Sequence, residues 1–240
     1  HEQKKLKPFF KNSDIFPYAA ATRPSGWLID FFYPNDRELD FSLYPHLRAH
    51  LARFAPLLLA RKQNNNGIDK LLARGVYWFG SVRRRMNFEA DKIAVPQRAP
   101  SNTFGFAPGP WYASSDVYFI SQPRHGLSLW YLLGLFNSAP YFAWLFYKGK
   151  RKGRLLELYS APLNALPVPI PHPKMQQQVE TLAQEMYRLK SQNPQADISA
   201  LQARADELVG QIFQFTPAEQ QTVQDFSYLS AWTGTKNNLY

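Results

Sequence analysis

Cysteine is absent from all 240 residues, so the chain has neither a disulfide framework nor thiolate chemistry. This suits a reducing cytoplasm. Acidic side chains are scarce: 18 Asp and Glu stand against 28 Lys and Arg, giving a formal net charge of +10 and a pI near 9.7. Such an excess calls for a polyanionic partner, either nucleic acid or an acidic membrane face. The chain opens on His1-Glu2-Gln3-Lys4-Lys5, with no signal-peptide pattern, and is expected to be a piece of a longer protein. An unbroken membrane span is missing as well. Leu127 to Tyr147, "LSLWYLLGLFNSAPYFAWLFY", has the ~20 residues a span requires, but Asn137-Ser138 interrupts it and Pro140 follows. That pattern predicts two short buried helices broken at Asn-Ser, with Pro in the first turn of the second.

The signatures of catalysis are also absent. There is no G-x-S-x-G, no G-x-x-x-x-G-K-[ST] and no G-x-G-x-x-G opening a helix. His46 and His50 stand one helical turn apart, a spacing that can hold a metal. Leu47 occupies the place of a metalloprotease Glu, no third ligand is evident, and two surface histidines account for the pair better. Glu89-Ala90-Asp91-Lys92 sets carboxylates beside a lysine, as metal-dependent nucleases do. Neighbouring strand residues face opposite sides, so this order does not aim the acids and the lysine at one ion. No metal site, catalytic residue or small-molecule ligand is assigned to the chain.

What the sequence does contain is apolar: 45% of residues are hydrophobic and 15% aromatic, enough for a sizeable core. "LIDFFYP" (Leu28 to Pro34), "GVYWFGSV" (Gly75 to Val82), "KIAVP" (Lys92 to Pro96) and "DVYFIS" (Asp116 to Ser121) read as strands. From Pro45, the spacing of Leu47, Leu51, Phe54 and Leu58 predicts one amphipathic helix. "LNALPVPIP" (Leu163 to Pro171) is expected to be extended. Beyond Pro173, Met175, Val179, Leu182, Met186 and Leu189, and then Ile198, Leu201, Ala205, Leu208, Ile212 and Phe215, recur at heptad-like spacing. The short connection at Asn193-Pro194 predicts an antiparallel helical hairpin. Thr216-Pro217-Ala218-Glu219 is a capping box for a third helix.

Basic side chains concentrate in "FYKGKRKGRLLELY" (Phe146 to Tyr159), where Lys148, Lys150, Arg151, Lys152 and Arg154 put five cations into seven positions with two glycines among them. Glycine lets backbone approach phosphates, and Lys and Arg neutralise them with release of counterions. These five are expected to form a phosphate-facing loop. Phosphate contacts position a protein, whereas base contacts specify. Candidate base-reading side chains are Arg83, Arg84 and Arg85, together with Gln97, Arg98, Ser101, Asn102 and Thr103 in the Pro-framed stretch "PQRAPSNTFGF".

The order of these pieces resembles the C-terminal specificity, or target-recognition, domain of TaqI-like and Eco57I-like adenine-N6 DNA methyltransferases, including type IIG restriction-modification enzymes. "LKPFFKNSDIFPY" (Leu6 to Tyr18) resembles the lead-in from the catalytic domain, and "YPHLRAHLARFAPLLLAR" (Tyr44 to Arg61) the family's helix with its closing Arg. "GVYWF" and "FEADKIAVP" resemble its Trp strand and Lys-Ile strand, and "LLGLFNSAPYFAWL" its Leu-Asn-Ser helix break. "LNALPVPIP" followed by "HPKMQQQVETLAQEM" resembles the exit into a helical spacer shared with type I specificity subunits. The resemblance spans residues 6 to 226. One departure is Asp91, where the family commonly has Pro before the Lys-Ile pair.

The resemblance implies an α+β fold: a strand-rich target-recognition domain with short packed helices over residues 1 to 170, then a helical hairpin and tail over 171 to 240. It implies a duplex DNA partner and a methyltransferase catalytic domain in cis or in trans, in the bacterial cytoplasm at the nucleoid. S-adenosylmethionine and the motif that holds a flipped adenine belong to that catalytic domain. Here the only Asn-Pro is Asn193-Pro194, followed by Gln195, so methylation by this chain itself is not expected. Two alternatives stay open. In one, the helical hairpin docks a methyltransferase or restriction subunit and nucleic-acid binding is non-specific. In the other, Trp78, Trp111 and Tyr112 stack unpaired RNA bases.

Overall fold

The computed structural model describes residues 1–31, 40–60 and 87–229. Eleven short strands run through them: β1 Leu6–Phe10, β2 Ile15–Phe16, β3 Tyr18–Ala20, β4 Gly26–Ile29, β5 Lys92–Pro96, β6 Arg98–Ala99, β7 Gly105–Ala107, β8 Tyr112–Ala113, β9 Val117–Ile120, β10 Lys150–Lys152 and β11 Leu155–Glu157. Eight α-helices accompany them: α1 Pro45–Ala52, α2 Ala55–Leu59, α3 Leu129–Phe136, α4 Ala139–Lys148, α5 Ser160–Asn164, α6 Pro173–Gln192, α7 Ser199–Ile212 and α8 Pro217–Leu229. The expected α+β class is what the chain adopts. The strand expected at Gly75 to Val82, and with it Trp78 and Arg83 to Arg85, lies outside the described residues.

The chain divides into two compact units, His1–Pro8 with Gly26–Met86 and Phe9–Ser25 with Asn87–Tyr240. In the first, Phe41, Tyr44, Leu47 and Leu51 form a small core with Leu6, Ile29 and Phe31 against it. The single helix expected from Pro45 is two. Pro56 lacks an amide hydrogen and its ring crowds the preceding turn, so α1 ends at Ala52 and Pro56 sits in the first turn of α2. Phe54 falls in the break and is exposed. The Glu2 carboxylate caps α1, accepting from the amides of His46 (3.2 Å) and Leu47 (2.8 Å).

The second unit is built on a five-stranded sheet in the order β2-β3-β7-β5-β9. Every residue of β5 is buried, because both faces of this sheet are covered. Ile93 and Val95 point into the larger core, while Ala94 between them points into a second core with Phe10, Trp111 and Val117. The larger core also takes Tyr131, Leu133 and Leu135 of α3, Val179, Ala183 and Met186 of α6, and Ala205 and Val209 of α7. The boundary expected between residues 170 and 171 therefore does not divide the packing. α6 and α7 form the expected antiparallel hairpin, but their apolar seams close over the sheet. A side chain at Gly134 would meet Val179 at 2.7 Å, so glycine there lets α3 and α6 approach closely.

The helix break falls where Asn-Ser predicted it, and the reason is visible. The Asn137 amide donates to the carbonyls of Phe104 (2.8 Å) and Leu133 (3.0 Å), and its oxygen accepts from the Phe104 amide (3.1 Å). Asn102 reciprocates from the other side, donating to the carbonyls of Phe136 (2.7 Å) and Ser138 (2.9 Å). The proline run after α5 is extended, and the Tyr141 and Tyr131 hydroxyls donate to its Pro167 and Pro169 carbonyls. The capping box opens α8 as expected: Glu219 accepts from the Thr216 amide (2.8 Å), and Thr216 Oγ1 from the Glu219 amide (3.3 Å).

Candidate nucleic-acid interface

The basic stretch expected as a loop is a β-hairpin. α4 ends at Lys148, the chain passes through Gly149, and β10 and β11 pair antiparallel in the register Lys150 to Glu157, Arg151 to Leu156 and Lys152 to Leu155. Gly153 and Arg154 are the two turn residues. Gly153 adopts φ +60°, as the first position of a tight hairpin turn requires and as glycine does without a Cβ penalty. The sequence hides this hairpin because its strands hold only three residues each and one of them is Lys-Arg-Lys.

β6 extends the hairpin into a three-stranded sheet through Leu156 to Ala99 and Glu157 to Arg98. Opposed residues share a face, so the inner side is Arg151, Leu156 and Ala99. Leu156 and Ala99 are buried, and the Arg151 guanidinium lies 4.0 Å from the centre of the Phe146 ring, a cation–π contact. The outer side carries Lys150, Glu157 and Arg98, and beyond them Lys152 and Leu155. Arg98 Nε approaches Glu157 Oε1 at 3.3 Å, and another guanidinium nitrogen donates to the Tyr159 hydroxyl. Lys148, Lys150, Arg151, Lys152, Arg154 and Arg98 are all exposed.

Arg98 thus joins the phosphate candidates on one small sheet, a juxtaposition the sequence did not reveal. The other residues of its segment divide. Gln97 is half-buried at the foot of the sheet, its backbone bonded to Asp116 and Leu158, and Ser101 is half-buried. Asn102 and Thr103 are buried. Asn102 holds the helix break, and Thr103 Oγ1 donates to the Ser101 carbonyl (3.1 Å). The buried pair is thus engaged inside the fold, and a Pro-framed loop on the surface is replaced by a strand and a buried crossing.

Other groups singled out in the sequence are tied into the structure. Lys92 is enclosed at the start of β5, with Nζ donating to the Phe88 carbonyl (2.9 Å). Burial lowers its pKa to about 8, against the opposing charges of Asp91 and Glu89. Asp91 accepts from the Gly109 amide (3.0 Å) and Glu89 from the Tyr112 hydroxyl. Among the described residues no group of three or more His, Cys, Asp or Glu is placed to hold a metal. Trp111 is buried, stacked on Phe10 with ring centres 4.6 Å apart, and donates to the Ala21 carbonyl (3.0 Å), so it presents no stacking face to a base. Among the described residues no helix is long and apolar enough to cross a membrane.

No protein-family model matches the chain, and no curated protein matches it in sequence. Among solved structures it is similar to the type IIL restriction-modification enzyme MmeI, determined in complex with DNA, with a TM-score of 0.63 and 16% identity over 95% of this chain. The fold is that of one part of a type IIL restriction-modification enzyme. The chain spans 31% of MmeI's length. A second likeness is to the type IIG restriction endonuclease BpuSI, with a TM-score of 0.47 and 12% identity over 90% of this chain and 27% of that one. The cores of this fold are filled by the chain's own helices and strands, and the basic sheet gathers exposed cations at its surface.

Proposed function

We propose that the chain recognises a specific sequence in duplex DNA, as the target-recognition part of a site-specific adenine-N6 methyltransferase or type IIG restriction-modification enzyme. The observation that carries this is the exposed basic sheet, on a fold shared with part of an enzyme solved on DNA. Lys148, Lys150, Arg151, Lys152 and Arg154 neutralise backbone phosphates and set the register of the complex. Arg98, and Arg83 to Arg85 outside the described residues, are the candidates for reading bases. A separate catalytic domain, in cis or in trans, would hold S-adenosylmethionine and the extruded adenine.

The test is selection from a randomised duplex library by the purified chain at two salt concentrations, followed by sequencing of the retained DNA. An enriched motif is expected. Salt-sensitive retention with no motif would sink sequence recognition by this chain and leave a non-specific binder.

A further inference from the structure

We propose that the tip of the basic hairpin enters the major groove and that Leu155 there contacts the C5-methyl group of a thymine. This rests on the duplex-recognition reading above and adds a specificity-determining residue to it.

The register carries the argument. β6 pairs only with Leu156 and Glu157, so the hairpin stands on a third strand at its base and not at its tip. From Lys152 through Gly153 and Arg154 to Leu155 it continues as a two-stranded ribbon. A ribbon of that kind fits a major groove about 12 Å wide and not a minor groove about 6 Å wide. The tip carries Lys152 and Arg154, both exposed, which suits entry between two phosphate walls.

Within this cationic surface Leu155 is apolar and 37% exposed. It lies opposite Lys152, on the face shared by Lys150 and Arg98. A single exposed leucine is ordinary on a protein surface, and lysines on an edge strand also discourage edge-to-edge pairing. Edge protection explains Lys150 and Lys152 but gives no place to a leucine at the tip. Base edges in the major groove present donors and acceptors, and thymine adds a methyl group, the natural partner of an apolar side chain.

The experiment uses the site obtained from the library, replacing thymines one at a time by deoxyuridine, which removes only the methyl group. Wild type should lose about fourfold in affinity at one position, the worth of one buried methyl-sized group. Leu155→Ala should bind the thymine and uracil forms of that position equally, with an unchanged salt slope because every cation is retained. Leu155→Met should keep the methyl sensitivity. If wild type and Leu155→Ala respond alike to every replacement, or if the site holds no thymine, the inference falls while sequence recognition stands. A library with no motif overturns both.

Discussion

Asn102 shows how a side chain chosen for its hydrogen-bonding capacity can have that capacity used inside the fold. Both of its amide hydrogens go to carbonyls at the α3–α4 break, and Asn137 completes the seam from the other side. Asn102→Ala would take this donor from the buried Phe136 carbonyl, while the Ser138 carbonyl still accepts from the Phe142 amide (3.1 Å), at a cost of roughly 1–3 kcal/mol. The denaturation midpoint should fall, and the sequence preference of the DNA that is retained should not change. A variant of wild-type stability with relaxed preference would return Asn102 to the recognition surface. Arg98, four residues earlier, is the contrasting case, because strand pairing carries it outward. Residue type named both as candidate readers; only burial separates them, and burial depends on the α3–α4 break far along the chain. Lys92 makes the same point for charge. Its lowered pKa means that the unfolded chain holds a proton the folded chain lacks between about pH 8 and 10.5, so this group adds stability as pH rises through that window.

At the scale of elements, several boundaries follow from local chemistry and one important cap does not. The Thr216 capping box and the Asn-Ser break sit where short-range rules put them. The α1–α2 break also has a local cause, Pro56, which the leucine spacing masks. The amino terminus of α4, by contrast, is capped from another helix: the Ala139 amide donates to Asp206 (2.8 Å), which also accepts from Gln202 (2.8 Å). Burial raises the Asp206 pKa to about 6, although both hydrogen bonds pull it down. The folded state therefore binds a proton that the unfolded state lacks between about pH 3.8 and 6. This contribution to stability grows as pH falls through that window and is lost as pH rises through it, by on the order of 3 kcal/mol in all. Asp206→Asn keeps an acceptor for Ala139 and removes the titration. Thermal melts from pH 4 to 7 should show the variant gaining on wild type as pH rises. Parallel curves would mean that the carboxyl titrates in the ordinary range.

For the molecule as a whole, the decisive quantity is charge concentrated on one small sheet. Replacing Lys148, Lys150, Arg151, Lys152 and Arg154 by Gln should weaken binding to all duplexes alike. It should also flatten the plot of log affinity against log salt by up to ~0.9 per lost phosphate contact. Binding isotherms at four salt concentrations measure this, and an unchanged slope would place the phosphates elsewhere. The helices after Pro173 bear on the rival reading of a docking module. Val179, Ala183, Met186, Ala205 and Val209 lie in the core of the sheet-bearing unit with residues of α3, α4 and the sheet, so their seams are already covered by the chain's own elements. A heptad-like pattern records only that a face is apolar. It does not record whether the partner is another protein or the same chain.

What the sequence by itself determined is whatever depends on neighbours along the chain. Those are the excess of positive charge, the amphipathic helices, the α8 cap, the turn at Asn137-Ser138 and the cluster of five cations, together with an order of pieces that pointed to restriction-modification specificity domains. Tertiary structure alone decided which of those groups face solvent. It paired the basic stretch into a hairpin, added β6 from some fifty residues upstream, put Arg98 on the face of Lys150 with Glu157 between them, buried Asn102, and packed α6 and α7 into the core of the sheet-bearing unit. Strand pairing and burial join residues distant in sequence, and no short-range pattern encodes them.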